Sequence, residues 1–167
     1  MSEQSDEEFR EYMGGRWTVM VRLAYGLTGD QGYAEDVAQA AFARAYASWA
    51  RIRRVGNPDA YVRRIVINEN RKRFRKHRVT EHLSGMPPEQ AAKDATMEYD
   101  ERSALIAALR ALGPRQRAVI VLRYWVGLTE AETAATLGCA VGTVKSQASR
   151  ALAILRKSAE LVEGGLQ

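Results

Sequence analysis

Near the carboxy-terminal end, Lys145, Ser146, Ser149 and Arg150 recur at a spacing that gathers side chains on one face of a helix. Lys and Arg reach phosphates or guanine edges, and a Ser hydroxyl donates or accepts at short range, so this face suits duplex nucleic acid. No Asp or Glu, which phosphates would repel, occurs from Gly138 through Ala159. With Val144 at the origin of a helical wheel, Ala148, Ala151, Leu152 and Leu155 fall within about 80° of it, so the opposite face is apolar and must pack.

The residues ahead of that helix are its mount. Thr129 and Glu132 have the spacing of a capping box, which predicts a helix from there to Leu137. Gly138 can take the left-handed conformation that ends it. Cys139, Ala140 and Val141 then turn the chain into a second helix over 142–157. This is the helix-turn-helix order, in which the second helix enters the major groove. A surface helix after any turn could share the polar face; the capping box and Gly138 favour DNA reading.

A second cluster of chemistry-bearing residues lies upstream. Residues 51–78 carry 11 basic and two acidic side chains, whereas residues 1–50 carry four basic and eight acidic. The net charge of +5 therefore conceals a segregation. A basic block of this kind fits a polyanion partner, although a solvated helix face would explain a charge run alone. Within it, "RRVGNPD" breaks the helical pattern. Pro58 suits the first turn of a new helix, which Tyr61, Ile65 and Phe74 are expected to pin to the core.

Catalysis finds little support. His77 and His82 lack the i, i+4 spacing of a helical metal pair, and there is no Gly-rich phosphate loop. Cys139 is the single cysteine, so disulfides and Cys-based zinc sites within one chain are excluded, and it reads as a partly buried turn residue. No metal, cofactor or enzymatic activity is expected. No apolar run approaches the roughly 18 residues a membrane helix needs, and the acidic start is unlike a signal peptide, so the expected location is cytoplasmic.

The elements that would position these clusters are helical throughout. Phe9, Met13, Trp17, Met20, Val21 and Ala24 repeat at helical spacing over 6–28, and "LTGDQGY" supplies a turn. A helix from Ala34 to about Ile52 follows, with Val37, Ala40, Ala41, Ala45 and Trp49 buried and with Glu35 and Asp36 in its first turn, where the helix dipole favours anions. Residues 79–96 lack sustained periodicity and hold Pro87 and Pro88, as a linker would. "DERSALIAALRAL" is then a helix stopped by Gly113, and Pro114 opens "RQRAVIVLRYWV". The expected fold is all-α: two small helical domains, 1–78 and 97–167, joined by a flexible linker over 79–96, the second ending in the helix-turn-helix.

Taken together, "LGPRQRAVIVLRYWVGLTEAETAATLGCAVGTVKSQASRAL" resembles the fourth conserved region of bacterial RNA polymerase sigma factors of the extracytoplasmic-function type, within the sigma-70 family. "LTGDQGYAEDVAQAAFARAYASW" looks like their region two, and "NPDAYVRRIVINENRKRFRK" like its promoter-melting part. The resemblance covers nearly all of residues 6–157 and is nearest to a short actinobacterial subgroup.

The resemblance implies roles. Glu35, Asp36, Gln39 and Phe42 would face core RNA polymerase. The loop over 53–59, with Arg53, Arg54 and Asn57, would hold a base flipped from the minus-10 element of promoter DNA, braced by Asn68. Tyr61, Arg63, Arg64, Arg71 and Arg73 would stack on or neutralise the opened strand, a mix that single strands favour; a core role for the Tyr61 ring is the competing expectation. Thr143, Lys145, Ser146, Ser149 and Arg150 would read the minus-35 element. An anti-sigma factor is a further partner that the resemblance allows. Two positions depart from the family pattern: Ala140 stands where a capping Ser is usual, and Gln147 where Arg is common. A stand-alone helix-turn-helix regulator acting as a dimer is the alternative.

Overall fold

The computed structural model describes residues 2–84 and 101–164, and among these every regular element is helical. Helix α1 (Glu3–Thr28) starts where Ser2 accepts from the Ser5 amide at 3.3 Å and stops at the left-handed Gly29. Helix α2 (Gln31–Ala47) is capped by Asp30, whose carboxylate accepts from the Tyr33 amide at 2.7 Å. A short α3 (Trp49–Ile52) leads into α4 (Pro58–Ser84). The later elements are α5 (Glu101–Ala111), α6 (Pro114–Ile120), α7 (Glu130–Leu137) and α8 (Val141–Gly164).

Four sequence expectations change here, the first being that the helix expected from Ala34 to about Ile52 is divided at Ser48 into α2 and α3. Because Asp30 caps α2, that helix begins three residues earlier than its periodicity predicts, and Glu35 and Asp36 lie beyond its first turn. Helix α4 continues to Ser84, so 79–84 extends a helix where a linker was expected; 85–96 lies outside the described residues. Phe74 is exposed, because the buried face of α4 is formed by Val62, Val66 and Ile67 instead.

The core is continuous between the two halves. Met20, Leu23, Ala24 and Leu27 of α1 share one apolar cluster with Val37, Ala41 and Phe42 of α2, and also with Ile106 and Leu109 of α5 and Val121 and Leu122 beyond α6. A Cβ added to Gly26 would stand 2.9 Å from Val121 Cγ1, so only glycine allows this approach. Past Ile120 the helix widens over Val121–Trp125, with the Val126 amide reaching back five residues to the Val121 carbonyl at 2.9 Å. Such a π-helical turn re-aims side chains relative to an α-helix. Here the Trp125 indole N–H donates to the Arg22 carbonyl of α1 at 3.0 Å.

Candidate nucleic-acid interface

The helix-turn-helix forms as its local chemistry dictates. Thr129 Oγ1 accepts from the Glu132 amide at 3.1 Å, and the Glu132 carboxylate accepts from the Thr129 amide at 2.8 Å, completing the capping box. That pairing holds the Glu132 carboxyl below the usual range, the backbone hydrogen bond to Thr129 being the main cause. Gly138 adopts φ 68°, as the end of α7 requires, and Cys139 is half-buried in the turn. Helix α8 begins at Val141, one residue earlier than expected. The Ala140 carbonyl receives the Thr143 and Val144 amides at 3.0 and 3.2 Å, but a methyl side chain offers no acceptor for the free amides of the first turn.

Val144 and Ala151 are fully buried, and Val119, Ala134 and Val144 form the small core that fixes α8 on α7. Thr143, Lys145, Ser146, Ser149 and Arg150 are all exposed, and the structure brings the five together on one side of α8. Ser146 Oγ donates to the Thr143 carbonyl at 3.1 Å, and Lys145 Nζ lies 3.9 Å from Glu130 Oε2. Gln147 is half-buried and turned toward a groove of about 1280 Å³ that Arg71, Phe74, Arg75, Arg110 and Arg117 also line. It stands apart from the five.

The upstream cluster is split. Arg53, Arg54 and Asn57 are exposed on the loop between α3 and α4. Arg53 pairs with Glu8 at 2.7 Å, and Asn57 Oδ1 accepts from the Ala60 amide at 3.1 Å, so Asn57 also caps α4. The mount of this loop is Asp59, which accepts from the Tyr12 hydroxyl at 2.9 Å and from Arg16 Nε at 3.1 Å. Burial first, and then the Asp59 hydrogen bond, push the Tyr12 phenol above its ordinary value, keeping it a donor.

Along α4, Tyr61, Arg64, Asn68 and Arg71 fall within about 80° of arc at 100° per residue. Arg63 and Arg73 do not join them. Arg63 is half-buried near Tyr12 and Glu132, with a solvent-excluded Nε, and Arg73 turns to α2, 4.0 Å from Asp36 and over the Tyr33 ring at 5.9 Å. Arg64 donates to the Ala135 carbonyl of α7, which ties the two clusters together. Tyr61 is half-buried against the core, and the Arg51 guanidinium bonds its hydroxyl. Arg51 was not singled out from the sequence, and nothing in its spacing marks it.

Among the residues expected to face polymerase, Glu35, Asp36 and Gln39 are exposed on α2. Phe42 is not. Only 2% of it is accessible, because its ring packs against Phe9, Tyr12 and Trp17 at 5.8 to 6.5 Å, so it is a core residue and offers no surface to a partner. Among the described residues no cluster of His, Cys, Asp or Glu could hold a metal ion, and no helix is long and apolar enough to cross a membrane.

An all-α chain that exposes a polar, cationic second helix of a helix-turn-helix beside another basic helix has the architecture of the helix-turn-helix DNA-binding class. Residues 18–80 match the family model for Sigma-70 region 2, and residues 102–155 match that for Sigma-70, region 4. The chain is 41% identical over 150 residues to the RNA polymerase sigma-E factor of Streptomyces coelicolor, covering 90% of this chain and 85% of the relative. It is 36% identical over 144 residues to the ECF RNA polymerase sigma factor SigL of Mycobacterium tuberculosis, covering 83% of this chain and 81% of the relative. The protein belongs to the ECF group of sigma-70-type RNA polymerase sigma factors. Its fold superimposes on the sigma factor RpoE of Bartonella quintana, crystallised with the anti-sigma factor NepR, with a TM-score of 0.78 at 27% identity over 92% of this chain and 98% of that one.

Proposed function

We propose that this protein is a transcription initiation factor that binds core RNA polymerase and directs it to specific promoters. In this reading α8 reads the minus-35 element and residues 53–76 handle the opened minus-10 element. The observation that carries it is the single exposed face formed by Thr143, Lys145, Ser146, Ser149 and Arg150, standing opposite the buried Val144 and Ala151. Glu35, Asp36 and Gln39, exposed on α2, are the polymerase-facing residues. Tyr61, Arg64, Asn68 and Arg71 are the strand-facing set on α4, with Arg53, Arg54 and Asn57 on the loop before it.

Arg63 and Arg73 contribute positive potential from neighbouring faces. An anti-sigma factor as a partner is part of the proposal, by analogy with the NepR complex of the Bartonella quintana relative. A dimeric stand-alone regulator would have no use for a region 2 half, and matches to both regions favour the initiation factor. Run-off transcription with purified core polymerase tests the proposal. Promoter-specific transcripts are expected only when this protein is added; DNA binding as a dimer without polymerase would overturn it.

A further inference from the structure

Helix α7 opens with two carboxylates, and they have different surroundings. The Glu132 carboxylate is committed to the Thr129 amide at 2.8 Å. Glu130 leans instead toward the recognition helix. Its Oε2 atom is closed off from solvent and has no hydrogen-bond donor in reach, and the charge that faces it is Lys145 Nζ at 3.9 Å. The Lys145 side chain is 67% exposed, so its ammonium keeps donors free for another acceptor.

We infer that Glu130 is a positioning residue for DNA reading, holding Lys145 at the base edges and keeping it off the phosphates; this rests on the minus-35 role proposed for α8. In a helix-turn-helix the first helix crosses the DNA backbone, which places a carboxylate at the start of α7 near the phosphate track. A carboxylate there repels phosphates and weakens binding to every sequence. It also anchors one side of a flexible ammonium that would otherwise settle on the nearest phosphate oxygen. Lys is a point charge on a four-carbon stem, so it carries little directional information unless something fixes it. The pair thus gives up sequence-independent affinity and gains discrimination, a trade that specific interfaces make by including a repulsive element.

The test uses full-length protein assembled with core polymerase, binding promoter fragments with intact or scrambled minus-35 elements over a range of salt. Glu130→Gln is expected to tighten binding to scrambled fragments several-fold. It should also lower the intact-to-scrambled ratio about 5- to 10-fold, and steepen the salt slope by up to about one unit, as Lys145 moves to a phosphate. Adding Lys145→Met to Glu130→Gln is expected to return the slope to its starting value. An unchanged ratio and slope in Glu130→Gln would overturn the inference. So would an equal loss for all fragments with a lowered melting temperature, which would make Glu130 a structural residue of α7. If Lys145→Met in the wild-type background alters neither quantity, the minus-35 role of α8 fails first and the positioning role with it.

Discussion

The Arg117 guanidinium donates to the Leu27 carbonyl at 3.2 Å, joining residues 90 positions apart in the chain. The same side chain reaches the carbonyls of Leu109, Arg110 and Leu112 at 2.8 to 3.0 Å, and Arg110 in turn donates to the Gly29 carbonyl at 2.7 Å. The last turn of α1 and the end of α5 both leave carbonyls without helical partners, and a planar group with five N–H donors satisfies them together. The two halves are therefore joined by charge-assisted hydrogen bonds as well as by apolar packing.

Removing this hub leaves half-buried carbonyls unpaired. Arg117→Ala is expected to destabilise the protein by about 2–4 kcal/mol, and Arg117→Lys by nearly as much, because an ammonium lacks the fork. Urea unfolding monitored by circular dichroism measures both. A loss below about 0.5 kcal/mol would show that water replaces the guanidinium without cost.

On α2 the buried ring and the exposed polar residues should separate cleanly. Phe42→Ala is expected to cost about 3–5 kcal/mol in stability, as deletion of a packed aromatic ring does. Asp36→Arg with Gln39→Ala should leave the helical circular dichroism intact and abolish co-purification with core polymerase. Unchanged retention of the double variant would remove α2 from the polymerase interface.

Tyr61 has a core-facing side and a hydroxyl held by Arg51. Tyr61→Phe keeps the ring and is expected to leave permanganate-reactive open complex nearly intact. Tyr61→Ala should reduce open complex while sparing the closed complex, with a loss of about 1–3 kcal/mol for one stacked base. Equal loss of both complexes would make the ring purely structural.

At the start of α8, Ala140→Ser introduces the acceptor that the first-turn amides lack. It is expected to raise stability by about 0.5–2 kcal/mol. A better-held helix start should also tighten binding of the assembled polymerase to promoters, since helix amino-termini bind phosphate. A melting temperature that stays the same or falls would mean that another group already satisfies those amides.

The capping box makes the stability of α7 depend on acid. The Glu132 carboxyl is held below its ordinary value in the folded chain, so its contribution is fully present above the ordinary Glu range and fades as pH falls through the depressed value. Glu132→Gln should flatten the acid limb of a melting-temperature profile while leaving the limb above pH 7 parallel to that of the wild type. An unchanged acid limb would show that the carboxylate carries no net charge effect.

Local rules made much of this molecule legible from its residues. Thr129, Glu132 and Gly138 specify the ends of α7 through contacts spanning a few positions, and the placement of Val144 and Ala151 opposite Lys145 and Arg150 follows from helical periodicity alone. Periodicity also marks Val37 and Ala41 as buried, but it puts Phe74 in the core, and the family resemblance puts Phe42 at a partner surface. Whether an aromatic ring is covered depends on what crosses it: α1 supplies Phe9 and Trp17 over Phe42, whereas Phe74 lies beyond the buried stripe of α4.

Tertiary structure alone decided which cations are committed and which are presented. Arg73 is tied to α2 and Arg117 to α1, although in the sequence both are simply basic residues on helices. The π-helical turn at Val121–Trp125, which turns Trp125 to α1, leaves no periodic trace, and Glu130 meets Lys145 only because Gly138 folds α8 back beside α7. Capping and amphipathicity are short-range and written in adjacent residues. Partners brought together by packing across many tens of residues depend on the whole chain's competition for burial and hydrogen bonds, which no local pattern records.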